Sequence, residues 1–331
     1  MNQEHVLYED FPHVLRSQQF SREALLGLFS LADSFQQPDR MRILDGEMRG
    51  INAAIVFHQQ SLFTLESFRS ALLRSGASVR DYPEARWSSV VSSSGFYDLL
   101  IFLETLGYNL FIVRWDREGS VQELADELRQ RRNWKHPIIN AGDGEGQHPT
   151  RGINEVYTLW NSGKVKNGMT VGVMGDLARD RIAHSFVYLM VQLGCVKKFY
   201  FVSPESCRMK AGILRHLREH EVEFEEHFDG ALGEFVDELD VIRISYPDLS
   251  QPASDINRRQ REHQFRSFVF DKALAERLPE HGAILHPLPR DFELPHELDD
   301  DDRALYHQSM RNFPWLITAI LKLIHEHSLS R

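Results

Sequence analysis

His286-Pro287-Leu288-Pro289-Arg290, directly after the apolar run Ala283-Ile284-Leu285, is the most specific cluster of chemically capable residues in the chain. His148-Pro149-Thr150 stands at the mouth of a glycine-rich stretch where a helical pattern begins. Gly175-Asp176-Leu177 is followed by Arg181 and His184-Ser185, and Arg114 ends a third apolar run. A fifth segment extends from Phe57 to Ser78 and closes on Gly76-Ala77-Ser78. Guanidinium groups and backbone amides in such places suit an anionic, phosphate-like ligand. A histidine beside them suits a carbonyl oxygen that gains charge in a transition state. Each group also has an ordinary reading. Arg114 alone reads as half of a strand-end salt bridge. His148 alone reads as a loop histidine, and Arg151 and Arg181 as solvated residues in the first turns of helices.

The elements that must position these groups are legible as short apolar runs and helical periodicities. Strands are expected at Gly50–Phe57, Leu110–Arg114, Pro137–Asn140, Met169–Met174, Lys198–Val202, Asp240–Ile244 and Ala283–Leu285. Ser21 can cap a first helix, on which Leu25, Leu28, Phe29, Ala32 and Phe35 share a face. Further helices are expected from about Glu66 to Arg74, from Thr150 past Trp160, from Arg181 to Leu193 and from Pro314 to His325. Residues 141–150 hold three glycines and a proline and read as a loop. Strand, helix, strand at this spacing is a right-handed crossover and implies a parallel sheet. The expected fold is therefore α/β, with two doubly wound parallel-sheet domains. The first covers 1–149 and the second 150–305, and the C-terminal helix, about 306–331, packs back on the first. Ligands in such sheets sit beyond the carboxyl ends of the strands, where the polar motifs fall.

Composition narrows the function classes. The chain has 331 residues, enough for two domains. A formal net charge of −10 argues against general nucleic-acid affinity while leaving room for a local basic pocket. No apolar run approaches the roughly 20 residues of a membrane span, and the acidic first residues do not read as a secretory signal. Cys195 and Cys207 lack the spacing of a disulfide framework or a cysteine zinc site. These features favour the cytoplasm and neither a nucleic-acid nor a membrane partner. Gly172-Val173-Met174-Gly175-Asp176 lacks the dinucleotide pattern, His325-Glu326-His327 lacks metal spacing, and neither a cofactor nor a metal is expected. The acidic run Asp299–Asp302 reads as a solvated loop, and the basic cluster Arg129–Lys135 as a solvated helix end.

In this order and at these separations the five motifs resemble the aspartate/ornithine transcarbamylases along nearly the whole chain. The His-Pro-Leu-Pro-Arg segment is more similar to the aspartate branch, because the ornithine branch usually has cysteine in place of its first proline. The resemblance implies transfer of a carbamoyl group from an acyl phosphate to an amino-acid amine. It implies that Arg114 binds the phosphate and His148 polarises the carbonyl. It also implies that the Leu288 backbone carbonyl holds the carbamoyl amine and that Arg181 grips the amino-acid carboxylate. A homotrimer is implied too, since the family builds its sites across a threefold interface.

The departures from the family pattern are local. Where its phosphate loop reads Ser-Thr-Arg-Thr-Arg, this chain reads Ser61-Leu62-Phe63-Thr64-Leu65. Ser61 and Thr64 survive and both arginines become apolar. Losing one such positioned donor typically costs about 2.7–4 kcal/mol of transition-state stabilisation. Ser88 to Ser94 offers serines but no lysine at the implied subunit interface, and Arg151 replaces a glutamine, a place from which it could return some of the lost charge. The family's Arg-x-Gln-x-Glu segment falls on Tyr246 and Asp248 without a gap. With a short insertion it falls on Arg258, Gln260 and Glu262, the reading that leaves Ser267–Phe270 sensibly ahead of His286. Two functions are compatible with these residues. One is a carbamoyltransferase-like enzyme with an altered phosphate site. The other is a catalytically inactive homologue that binds a metabolite or a protein partner.

Overall fold

Runs of branched and small apolar residues become the central strands of two parallel sheets, because strands covered on both faces need no alternation of polar residues. The computed structural model describes residues 12–36, 48–82, 93–228, 230–246 and 262–329. The chain divides into two compact units. Unit 1 holds the residues up to Asn154 together with those from Arg311 onward, and unit 2 holds Glu155–Met310.

Unit 1 has helix α1 (Arg22–Phe35), strand β1 (Asn52–Phe57), α2 (Leu62–Arg74), β2 (Ser78–Tyr82) and α3 (Ser93–Thr105). It continues with β3 (Leu110–Trp115), α4 (Ser120–Arg132), β4 (Ile138–Asp143) and α5 (Pro149–Asn161), whose last turns fall in unit 2. The strands are parallel in the order β2-β1-β3-β4. Val14 bridges the outer side of β4, so that edge is partly covered. Ser21 caps α1 as expected, its Oγ accepting from the Ala24 amide at 3.2 Å. One core packs Val56, Phe111 and Val113 of the strands against Leu100 and Leu103 of α3 and Leu124 and Leu128 of α4.

Unit 2 has β5 (Met169–Met174), α6 (Arg181–Leu193), β6 (Val196–Val202), α7 (Ala211–Glu219) and β7 (Glu223–His227). Then come β8 (Val241–Ile244), α8 (Lys272–Arg277), β9 (Ala283–Leu285) and the start of α9 (Tyr306–Leu329). Its sheet is also parallel, in the order β7-β6-β5-β8-β9. The reversal of order about β5 is the place where ligands collect in doubly wound sheets.

Four expectations need correction. The final helix begins at Tyr306, not near Pro314, and carries that proline in its interior. Proline is common at a first helical position, which is why it reads as a start. Here Thr318 Oγ1 donates to the Pro314 carbonyl at 2.9 Å, one turn on. The helix expected from Glu66 begins at Leu62, so the altered loop residues are helical. The acidic run is not merely solvated: Asp299 pairs with Arg290 at 2.5 Å and Asp301 with Arg303 at 2.6 Å. Arg151 is buried (5% exposed), its guanidinium 5.0 Å over the Phe313 ring, where the isolated residue reads as solvated.

Candidate functional site

In unit 1 the polar motifs meet at the carboxyl ends of β1 and β3. Phe57 is the register partner of Arg114, and the His58 amide donates to the Arg114 carbonyl at 2.9 Å. That pairing sets the Arg114 backbone level with the turn leading into α2. Arg114 Nη1 donates to the Ala141 carbonyl on β4 at 3.2 Å, which fixes the direction of the guanidinium. Ser61 is the N-cap of α2, yet its hydroxyl does not close on a backbone amide. It donates instead to Thr64 Oγ1 at 3.1 Å. Thr64 Oγ1 lies 3.4 Å from His148 Nε2, and Thr150 Oγ1 lies 3.4 Å from His148 Nδ1. Ser61, Thr64, His148 and Thr150 thus form one file of polar groups, and His148 is buried.

The loop before His148 is braced from both sides. Asp143 accepts the Gln147 amide at 2.6 Å and the Gly119 amide at 3.1 Å. Gly144 has φ +54, and a Cβ there would lie 2.6 Å from the Asp116 carbonyl oxygen, so only glycine fits. His148 then takes the N-cap role of α5: its carbonyl accepts from the Arg151 and Gly152 amides at 3.1 and 3.0 Å. Leu62 and Phe63 are 70% and 40% exposed, so neither side chain fills a buried phosphate pocket.

In unit 2 the motifs collect around an ion network that the motif reading passes over. Arg243, in the middle of β8, is fully buried. Its Nε donates to Glu155 Oε2 at 3.1 Å, its Nη1 donates to Ser245 Oγ at 2.5 Å, and Nη1 also pairs with Asp180. Asp180 caps α6, its Oδ1 accepting from the Ile182 and Ala183 amides at 2.8 and 3.0 Å. Burial opposes ionisation of Asp180, but the Arg243 charge and these bonds overcome it and hold the carboxyl well below its ordinary value. The network therefore anchors the first turn of α6, where Arg181 stands half-buried. An arginine inside an apolar strand is the sequence signal for such a network, since arginine is almost never fully buried unless paired.

Two further devices shape this half. Gly175 has φ +120, and a Cβ there would sit 2.5 Å from the Ser245 carbonyl oxygen. His286 Nδ1 accepts the Leu288 amide at 2.9 Å and its Nε2 meets Glu293 Oε1 at 2.9 Å. Acceptance at Nδ1 requires a neutral ring with its proton on Nε2, directed at Glu293. Leu288 itself has φ +47, a left-handed conformation that leucine rarely adopts. Such outliers persist where the surroundings overdetermine them, and they cluster at functional sites. Arg290, at the end of this segment, is tied to Asp299 and to the Tyr306 hydroxyl, the latter at 3.1 Å.

Within unit 1 the structure brings together Ser61, Thr64 and His148, with Arg114 on the neighbouring strand. Arg151 lies on α5 against Phe313. Within unit 2 it places Arg181 at the start of α6 and Leu288 after β9. Arg258, Gln260 and the stretch Ser88–Ser92 lie outside the described residues. Among the described residues no group of histidine, cysteine and carboxylate side chains could hold a metal ion.

Comparisons with known proteins agree along the length of the chain. Residues 12–161 match the carbamoyl-P binding domain of the aspartate/ornithine carbamoyltransferases, and residues 167–324 match the Asp/Orn binding domain. The chloroplastic aspartate carbamoyltransferase of Oryza sativa subsp. japonica is 32% identical, over 94% of this chain and 84% of the rice protein. The aspartate carbamoyltransferase catalytic subunit of Thermofilum pendens is 32% identical, over 94% of each chain. The crystal structure of aspartate transcarbamoylase from Trypanosoma cruzi, in complex with carbamoyl aspartate and phosphate, superposes with a TM-score of 0.82. Its sequence identity is 26%, over 93% of this chain and 94% of that one.

Proposed function

The chain belongs to the aspartate/ornithine carbamoyltransferase family, and on that premise we propose that it transfers a carbamoyl or related acyl group from an acyl phosphate to an amino-acid amine, using an altered phosphate site. The observation that carries this reading is the Ser61-Thr64-His148-Thr150 file in unit 1, at the same carboxyl edge of the sheet as Arg114. The amine attacks the carbonyl carbon, the carbonyl oxygen takes up negative charge, and phosphate departs with a proton from the amine. His148, held by hydroxyls at both ring nitrogens, is the donor for the developing oxyanion. Arg114 and the amides that open α2 take the phosphate; those amides have no acceptor within the helix. In unit 2 the Leu288 carbonyl holds the carbamoyl amine, and Arg181, set by the Asp180–Arg243 pair, holds the amino-acid carboxylate. Arg151, Arg258 and Gln260 complete the proposed binding residues, and a cytoplasmic homotrimer is the proposed assembly.

The altered phosphate site rests on Leu62, Phe63 and Leu65 standing where the family has threonine and arginines. Calorimetric titration with carbamoyl phosphate, followed by an assay with aspartate, tests the reading. Weak binding with slow turnover is expected. Phe63→Arg should raise kcat/KM by about 10²–10³, the value of one positioned donor. Full activity in the natural chain would overturn the altered site. Absence of binding and of turnover in both chains would favour the second reading, an inactive homologue. The adjacent exposed side chains of Leu62 and Phe63 support that reading, since they form an apolar surface suited to a partner.

A further inference from the structure

Unit 1 has a cavity at the amino ends of β1, β3 and β4, the opposite edge of the sheet from Ser61, Arg114 and His148. Its volume is about 370 Å³. That falls among small-ligand sites, which span roughly 300–1,000 Å³. Five basic side chains border it, Arg49, Lys135, His136, His325 and His327, and no carboxylate among the described residues does. Arg49 and Lys135 carry full positive charge, a local reversal of sign in a chain of net charge −10. The walls between the basic groups are apolar, formed by buried Ile51, Leu110 and Ile324.

The basic groups are not equivalent. His136 Nε2 is engaged by Glu104 at 3.1 Å. Asn109, also on the wall, spends its amide on Gly50 and Asn52, at 2.9 and 2.8 Å. Arg49 and Lys135 are exposed, and no ion pair among the described residues engages either. Lys135, His325 and His327 follow or end helices, where basic residues ordinarily offset the partial negative charge of the helix terminus. That effect is worth about half a charge per helix and does not account for Arg49, which lies in the turn before β1.

We propose that this cavity binds a small amphipathic anion, its aryl or short alkyl body against Ile51, Leu110 and Ile324 and its phosphate or carboxylate head on Arg49 and Lys135. The test is calorimetric titration of the full chain with phenyl phosphate, benzoate and inorganic phosphate. Each is repeated in Arg114→Ala, which disables the proposed donor site, and in the double variant Arg49→Ala/Lys135→Ala. Both substituted residues of the double variant are exposed, so folding is preserved. Expected is binding of phenyl phosphate, benzoate or both that survives Arg114→Ala. It weakens about tenfold or more in the double variant, as loss of charge-assisted hydrogen bonds requires. The arm that binds identifies the head group. The proposal fails if neither aryl anion binds, if binding survives in the double variant, or if it disappears with Arg114→Ala. Inorganic phosphate binding as tightly as phenyl phosphate would also overturn it, because the apolar walls would then contribute nothing.

Discussion

His286 is held between a backbone amide at Nδ1 and a carboxylate at Nε2, and burial decides its charge. Burial pushes its pKa below the ordinary value near 6.5, against the opposing pull of Glu293. An unfolded chain takes up a proton below about pH 6.5 that the folded site refuses, so this contribution to stability is complete above that pH and declines as pH falls toward the folded value. The urea midpoint should be lower at pH 5.5 than at pH 7.5. In His286→Asn, whose Oδ1 stands where Nδ1 accepts the Leu288 N–H, part of that difference should vanish, the half-buried His216, also shifted down by burial, supplying another part. An unchanged pH dependence in the variant would mean that the ring is not the group being titrated. The same residue marks a limit of the sequence. His286 is legible as part of a distinctive pentapeptide, but Glu293, seven positions on and outside any motif, is not. Arg151 shows the converse: its position is legible, but its burial depends on Phe313, far along the chain.

Among the elements, the apolar strands were legible, including β4 and β9 at the sheet edges, and the polar edge strands β2 and β7 were not. β1, β3 and β5 are apolar runs that nothing else in the sequence imitates. Ser78–Tyr82 carries Arg80 and Asp81 side by side, and Glu223–His227 carries Glu223, Glu225 and Glu226, so neither shows an apolar run; each lies at the rim of its sheet, where charge is tolerated. The α9 start was misjudged because a proline signals a helix beginning far more often than a helix interior. The turn between β5 and α6 is where an element depends most on one residue. At Gly175 a side chain meets both a positive φ and the backbone of Ser245, whereas at Gly163 the φ is +69 with nothing within 4 Å. Gly175→Ala should therefore destabilise the protein by about 1–3 kcal/mol more than Gly163→Ala, by chemical denaturation. Equal effects would show that the turn relaxes without cost.

At the scale of the molecule, each unit carries its own sheet and its own apolar core, so unfolding in more than one step is expected. Arg243→Leu leaves Glu155 and Asp180 as buried, uncompensated carboxylates within unit 2. Removing one partner of such a network typically costs about 3–5 kcal/mol. In scanning calorimetry the variant should lower one transition and leave the other in place. Part of the loss should return when Glu155→Gln is added, since a neutral amide needs no counter-charge. A uniform shift of the whole profile would mean that the two cores melt together.

The exposure of Leu62 and Phe63 has a consequence for how this chain can change over generations. Neither side chain is embedded in the core, while the first turn of α2 that carries them is held by the Ser61 N-cap and the Ser61–Thr64 contact. Surface replacements away from such features usually alter stability by no more than about 0.5 kcal/mol. Selection, natural or in the laboratory, can therefore exchange residues at these two positions in either direction without passing through poorly folded ancestors. Under the proposed function, donor preference in this scaffold is a trait free to drift.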